Sequence, residues 1–100
     1  MPSNKAWSQF TASDYTPEQY KRACLIVMGD SKDQMKLPVR EPDGTLNCNG
    51  VHAAAGALAG ARGGVQAPAN LKKRAAGVLV RLYSQCGDEA PDSLKRMASG

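Results

Sequence analysis

Residues 47–87 read NCNGVHAAAGALAGARGGVQAPANLKKRAAGVLVRLYSQCG, and the architecture turns on how this stretch is parsed. Asn47 or Asn49 can cap a helix from about Gly50 to Ala61, because a short side-chain carbonyl satisfies the free amides of a first turn. Val51, Ala54, Ala55, Leu58 and Ala61 recur at steps of three and four, which places them on one buried stripe. Gly56 and Gly60 lie four apart and predict close approach of another backbone within the chain. Gly63-Gly64 ends this helix. Pro68 then opens a longer one that runs to about Cys86 and is closed by Gly87. Its apolar stripe is Leu71, Ala75, Val78, Leu79, Leu82 and Tyr83. The short Gly-rich link between the two predicts an αα-hairpin.

Outward toward the N-terminus, Thr16-Pro17-Glu18-Gln19 is a helix start, with Thr16 as N-cap, Pro17 at the first helical position and Gln19 reaching back. That helix should run to Ala23 or Cys24, with Tyr20 and Ala23 facing inward. Leu25-Ile26-Val27-Met28 is a β-type apolar run stopped by Gly29-Asp30-Ser31, though it also fits the last turn of the helix. Leu37-Pro38-Val39-Arg40 reads as a second extended segment, since Pro38 drives Leu37 out of the right-handed helical region. The two would pair as a hairpin across the loop from Gly29 to Lys36. Glu41-Pro42-Asp43-Gly44 is a turn, and Pro91-Asp92-Ser93-Leu94 opens a last short helix. The expectation is an α+β fold, mainly helical: an αα-hairpin packed with a short β-hairpin and an N-terminal arm. The arm covers 1–13, a single compact domain 14–94, and a frayed C-terminus 95–100. Trp7 and Phe10 can anchor the arm to the domain or to a neighbour.

Composition narrows the function. One hundred residues make one domain. With 42% apolar and 22% charged residues the chain is neither disordered nor, lacking any long apolar run, membrane-spanning. Its start has no signal-peptide character, so a soluble, intracellular chain is expected. Three cysteines, Cys24, Cys48 and Cys86, are an odd, widely spaced set that suits a reducing compartment. Cys48 and His52 have the spacing of two metal ligands on one helix face, but a zinc site would need all three thiols to converge; buried thiols and a surface histidine are the expectation, with no metal and no cofactor. There is one histidine, and no nucleophile–base set, P-loop or dinucleotide fingerprint is present, so no catalytic residues and no enzyme are expected. The net charge is +4. From Gly44 to Gly87 there is no acidic residue, yet Arg62, Lys72, Lys73, Arg74 and Arg81 fall there. This asymmetry points to an acidic partner, either an acidic protein surface or nucleic acid.

Three stretches carry a resemblance: Asp14-Tyr15-Thr16-Pro17-Glu18-Gln19-Tyr20 with Trp7 and Phe10 before it, Lys36-Leu37-Pro38-Val39-Arg40-Glu41-Pro42-Asp43-Gly44-Thr45-Leu46-Asn47, and Leu58-Ala59-Gly60-Ala61-Arg62-Gly63-Gly64-Val65. Over residues 7–94 the chain resembles a small module of tailed-phage head proteins, among them prohead (capsid maturation) proteases of actinobacterial phages. Nothing in it matches a protease domain, so that activity does not carry over. The resemblance implies a non-enzymatic, head-associated structural protein: a capsid decoration protein, minor capsid protein or head-assembly factor. Its partners would be the major capsid protein or another head protein, with self-association possible, and no membrane. It would reside in the virion head, and in the host cytoplasm during assembly. Trp7 and Phe10 are then the first candidates for partner contact. The alternative is a small basic nucleic-acid-binding module using Arg62, Lys72, Lys73, Arg74 and Arg81.

Overall fold

The computed structural model describes residues 2–60 and 64–100. Helix α1 spans Pro17–Ala23, and its start is a capping box. The Gln19 amide donates to Thr16 Oγ1 at 3.1 Å and the Thr16 amide donates to Gln19 Oε1 at 2.8 Å. Ala23 is buried and Tyr20 half-buried, as their placement on the inner side requires. The chain passes directly into strand β1, Cys24–Val27, which pairs antiparallel with β2, Met35–Pro38, in the register Cys24↔Pro38 and Ile26↔Lys36. The hairpin reading of this region is therefore the right one, shifted by a residue or two at each strand.

Leu37 departs from the expected extended backbone. Its φ is +63°, in the left-handed region that bulky residues rarely adopt. Pro38 disfavours the right-handed alternative, and the Leu37 side chain is buried in the main core cluster. Burying a leucine is worth about 1.5–3 kcal/mol, which is comparable to the roughly 1–3 kcal/mol cost of such a conformation.

After β2 the chain forms a second narrow loop, Arg40 bridging to Leu46 across the Glu41–Gly44 turn. The Glu41 amide donates to Thr45 O at 2.8 Å and the Gly44 amide to Glu41 O at 2.8 Å, with Gly44 at φ +96°. This return delivers Asn47 as the N-cap of α2, Cys48–Leu58, and Asn47 Oδ1 accepts from the Gly50 amide at 2.9 Å. The cap is thus Asn47 and not Asn49. Helix α3 is Ala69–Gln85, with Pro68 at its N-cap position and Gly87 just past its end at φ +77°. Helix α4, Asp92–Ser99, packs along α3 more extensively than any other pair of elements. The segment 95–100, expected to be frayed, therefore continues a helix up to Ser99.

The core joins both halves of the sequence. Val51, Ala54, Ala55 and Leu58 of α2 meet Ala75, Ala76, Leu79, Leu82 and Tyr83 of α3, with Ile26 and Leu37 from the hairpin and Leu94 from α4. Alanine dominates the facing stripes, and small side chains let the helices and sheet lie close together. Gly56 does not serve this purpose: it is exposed, and a Cβ there would meet nothing within 4 Å. The same holds at Gly60, where φ is +108°. Helix α2 ends at Leu58; Ala61 and Gly63 of the expected helix end lie outside the described residues.

Two further corrections concern the chain's ties. The N-terminal arm is stitched to the domain. The Ser3 amide donates to Leu46 O at 2.7 Å, the Cys48 amide donates to Ser3 O at 2.8 Å, and Asn49 Nδ2 donates to the Asn4 and Lys5 carbonyls at 3.1 Å each. Secondly, Cys48 and Cys86 form a disulfide with Cα atoms 5.8 Å apart, joining the start of α2 to the end of α3. The free-thiol reading fails for this pair, and neither sulfur is available for zinc.

Cross-linking residues separated by 38 positions stabilises a chain by about 4 kcal/mol when the gain is the lost freedom of the unfolded state. Reduction, or Cys48→Ser, should therefore lower the unfolding free energy by about 2–4 kcal/mol in urea titrations. Equal midpoints for the oxidised and reduced chains would contradict this.

Candidate interaction surfaces

The residues singled out by the sequence fall into three separate places. Trp7 begins a 3-10 turn, Trp7–Gln9, and lies on the first turn of α2. Its ring comes so close to Gly50 that a Cβ there would meet ring carbons at 3.0 Å; only glycine lets the indole sit flat on the helix. Phe10 stacks obliquely beside it, ring centroids 5.7 Å apart, and both rings are half-buried. Trp7 also walls a groove of about 290 Å³ with Leu37, Pro38, Ala53, Ala57 and Val65. Anchorage to the domain thus accounts for much of Trp7, and the rest of the indole borders an open apolar groove.

The basic residues lie on α3. Lys73, Arg74 and Arg81 are exposed and Lys72 is half-buried; Arg62 lies outside the described residues. Among the described residues, the ion pairs are Lys5–Glu41, Lys21–Asp30, His52–Asp88 and Lys95–Glu89, so none of the four α3 cations is paired.

His52 is the third place. Its Nε2 is 3.1 Å from Asp88 Oδ2, and its ring centroid is 5.3 Å from that of Tyr83. Both partners of the pair are nearly half exposed, at 45% and 47%, and a solvated pair of this kind contributes little to stability. Beside it is a cleft of about 220 Å³ between α2 and α4, lined in part by Ser93, Leu94 and Met97. Cys48, the supposed fellow ligand of His52, is in the disulfide. Among the described residues no three His, Cys, Asp or Glu side chains gather to hold a metal ion, and no helix is long and apolar enough to cross a membrane.

The sequence reading missed a polar cluster at the α2 start. Glu41 is buried, 4% exposed, its Oε2 accepting from Asn47 Nδ2 at 2.9 Å and its Oε1 lying 3.8 Å from Lys5 Nζ. Asn47 Nδ2 also donates to Lys5 O at 3.1 Å. A Glu six residues before a helix-capping Asn carries no recognisable spacing, so only the fold brings these groups together. The Glu41 and Asn47 side chains are both buried and hydrogen-bonded to each other. The cluster braces the domain and presents no reactive group.

Beneath the same turn lies a ring and thiol cluster. Tyr15 donates to Arg40 O at 2.6 Å and meets Tyr20 edge-on, centroids 5.1 Å apart. Burial pushes the Tyr15 and Tyr20 phenols up to about 12. Burial also pushes the Cys24 thiol up to about 12, against the Tyr20 hydroxyl and Lys36, which favour the thiolate. These acids are held neutral by the fold, so their contribution is complete below their unfolded pKa values and is lost as pH rises toward the folded ones. Stability should hold to about pH 8 and fall from about pH 9 upward, as Cys24 and then the two tyrosines pass their unfolded pKa values. Urea midpoints that stay flat across that window would contradict the burial of this cluster.

Comparison with protein-family models, with curated proteins and with solved structures finds no match to this chain.

Proposed function

We propose that this chain is a non-enzymatic structural component of a tailed-phage head that works through protein–protein contacts. The resemblance of residues 7–94 to head-protein modules supplies the setting. The observation that carries the reading is the Cys48–Cys86 disulfide. Such bonds persist on virions and in other oxidising surroundings and are rare in proteins that work in a reducing cytoplasm. A head protein is made in the host and does its work in a particle outside it, where the bond is stable. The internal use of Glu41 and Asn47 supports the same reading, since the most distinctive stretch of the chain serves as a brace and not as reactive chemistry. Trp7, half-buried at an apolar groove, and Phe10, half-buried against the Trp7 ring, are the contact this reading assigns to a capsid partner.

The test is sedimentation of phage particles from an infected lysate, with the chain quantified in mature heads and in empty precursors. The expected result is co-sedimentation with one or both, reduced by Phe10→Ala without a change in the melting temperature of the isolated domain. Absence from both kinds of particle would refute the proposal.

A further inference from the structure

The outer face of α3 has features that the internal packing does not explain. Asn70, Arg74, Gly77 and Arg81 follow at steps of four, three and four, so they share one row; Asn70, Arg74 and Arg81 are exposed, Gly77 between them is half-buried, and exposed Lys73 lies beside the row. Gly77 sits mid-helix, where glycine weakens a helix relative to alanine. No neighbour demands it, because a Cβ there would meet nothing within 4 Å. Among the described residues the cations around it have no acidic partner, while the carboxylates Asp88 and Glu89 are engaged by His52 and Lys95. At the N-terminal end of this helix, a groove of about 460 Å³ lies between Ala69, Lys72 and Lys73 on one side and Met97 and Gly100 of the α4 end on the other. Its walls are the Ala69 and Met97 side chains together with lysines, whose long methylene stems are apolar and whose tips are charged.

We infer that this face and groove dock a helical segment of another protein that carries both carboxylates and apolar side chains. Charge complementarity selects the carboxylates: unpaired Lys73, Arg74 and Arg81 flank a surface that glycine keeps low enough for a backbone to lie close. The groove selects the apolar side chains. A nucleic-acid backbone would use the cations but make no use of the apolar surface that Ala69 and Met97 turn to the groove, and no aromatic ring stands among the cations for base stacking. The inference stands independently of the phage setting.

Fluorescence anisotropy tests it with three labelled probes: a peptide with Glu and Leu at helical spacing, the same peptide with every Leu replaced by Ser, and a random-sequence DNA duplex. The Glu/Leu peptide should bind the protein at least about tenfold tighter than the Glu/Ser peptide, and tighter than the duplex. Combined Lys73→Glu, Arg74→Glu and Arg81→Glu changes, all at exposed positions, should weaken it by about tenfold or more while leaving the melting curve unchanged. Ala69→Asp, also exposed, should remove the advantage of Leu over Ser. Tighter binding of the duplex, equal binding of the two peptides, no binding of either peptide, or indifference to charge reversal would each overturn the inference.

Discussion

The fold depends on one buried amide. Asn47 is fully buried, and all of its hydrogen-bonding capacity is spent in different directions. Its Oδ1 caps α2, its Nδ2 donates to both the Glu41 carboxylate and the Lys5 carbonyl, and its backbone amide donates to Val39 O at 2.9 Å. One residue thereby joins the N-terminal arm, the extended segment after β2, the Glu41 turn and the first turn of a core helix. The arrangement is demanding, because a buried carboxylate with one donor removed costs far more than an ordinary hydrogen bond contributes. Glu41 remains acceptable in the interior only while Asn47 and Lys5 face it.

A second tie lies on the other side of the same helix start, where Cys48 follows Asn47 and bonds Cys86. The amide fixes the N-terminal half of the chain to α2, and the disulfide fixes α3 to α2. Between them the facing stripes interleave Ala54, Ala55, Ala75 and Ala76 with Leu58, Leu79, Leu82 and Tyr83, so close approach at the alanines depends on correct placement of the elements. This division of labour leaves the exposed cations of α3 and the groove edge of the Trp7 indole open to contact with other molecules.

The helices and the hairpin were legible because their signals are local. Thr16-Pro17 with Gln19 specifies a helix start wherever it occurs, and the stripe from Leu71 to Tyr83 follows helical period alone. What escaped depends on tertiary placement. Asn47 and Asn49 are equally good caps by type; the Ser3 bridge and Glu41 decide between them. Counting cysteines hid the Cys48–Cys86 pair behind the odd Cys24, although an αα-hairpin brings the start of its first helix beside the end of its second. Gly56 looked like a packing glycine because spacing cannot say which face of a helix is covered. Residues 95–100 looked frayed because their polar run conceals Met97 and Ala98, which pack against the core. For the candidate contacts, charge asymmetry along the chain located the α3 cations, but the groove beside them forms only when α4 folds back.

A donor swap at the buried pair tests the central role of Asn47 most directly. Asn47→Asp preserves the cap acceptor for Gly50 but turns an oxygen toward Glu41, so urea denaturation at neutral pH should show a loss of about 3 kcal/mol or more. Adding Glu41→Gln restores a donor–acceptor pair across the same gap and should recover at least half of that loss. An Asn47→Asp chain as stable as the parent, or a double variant no better than the single one, would contradict the account.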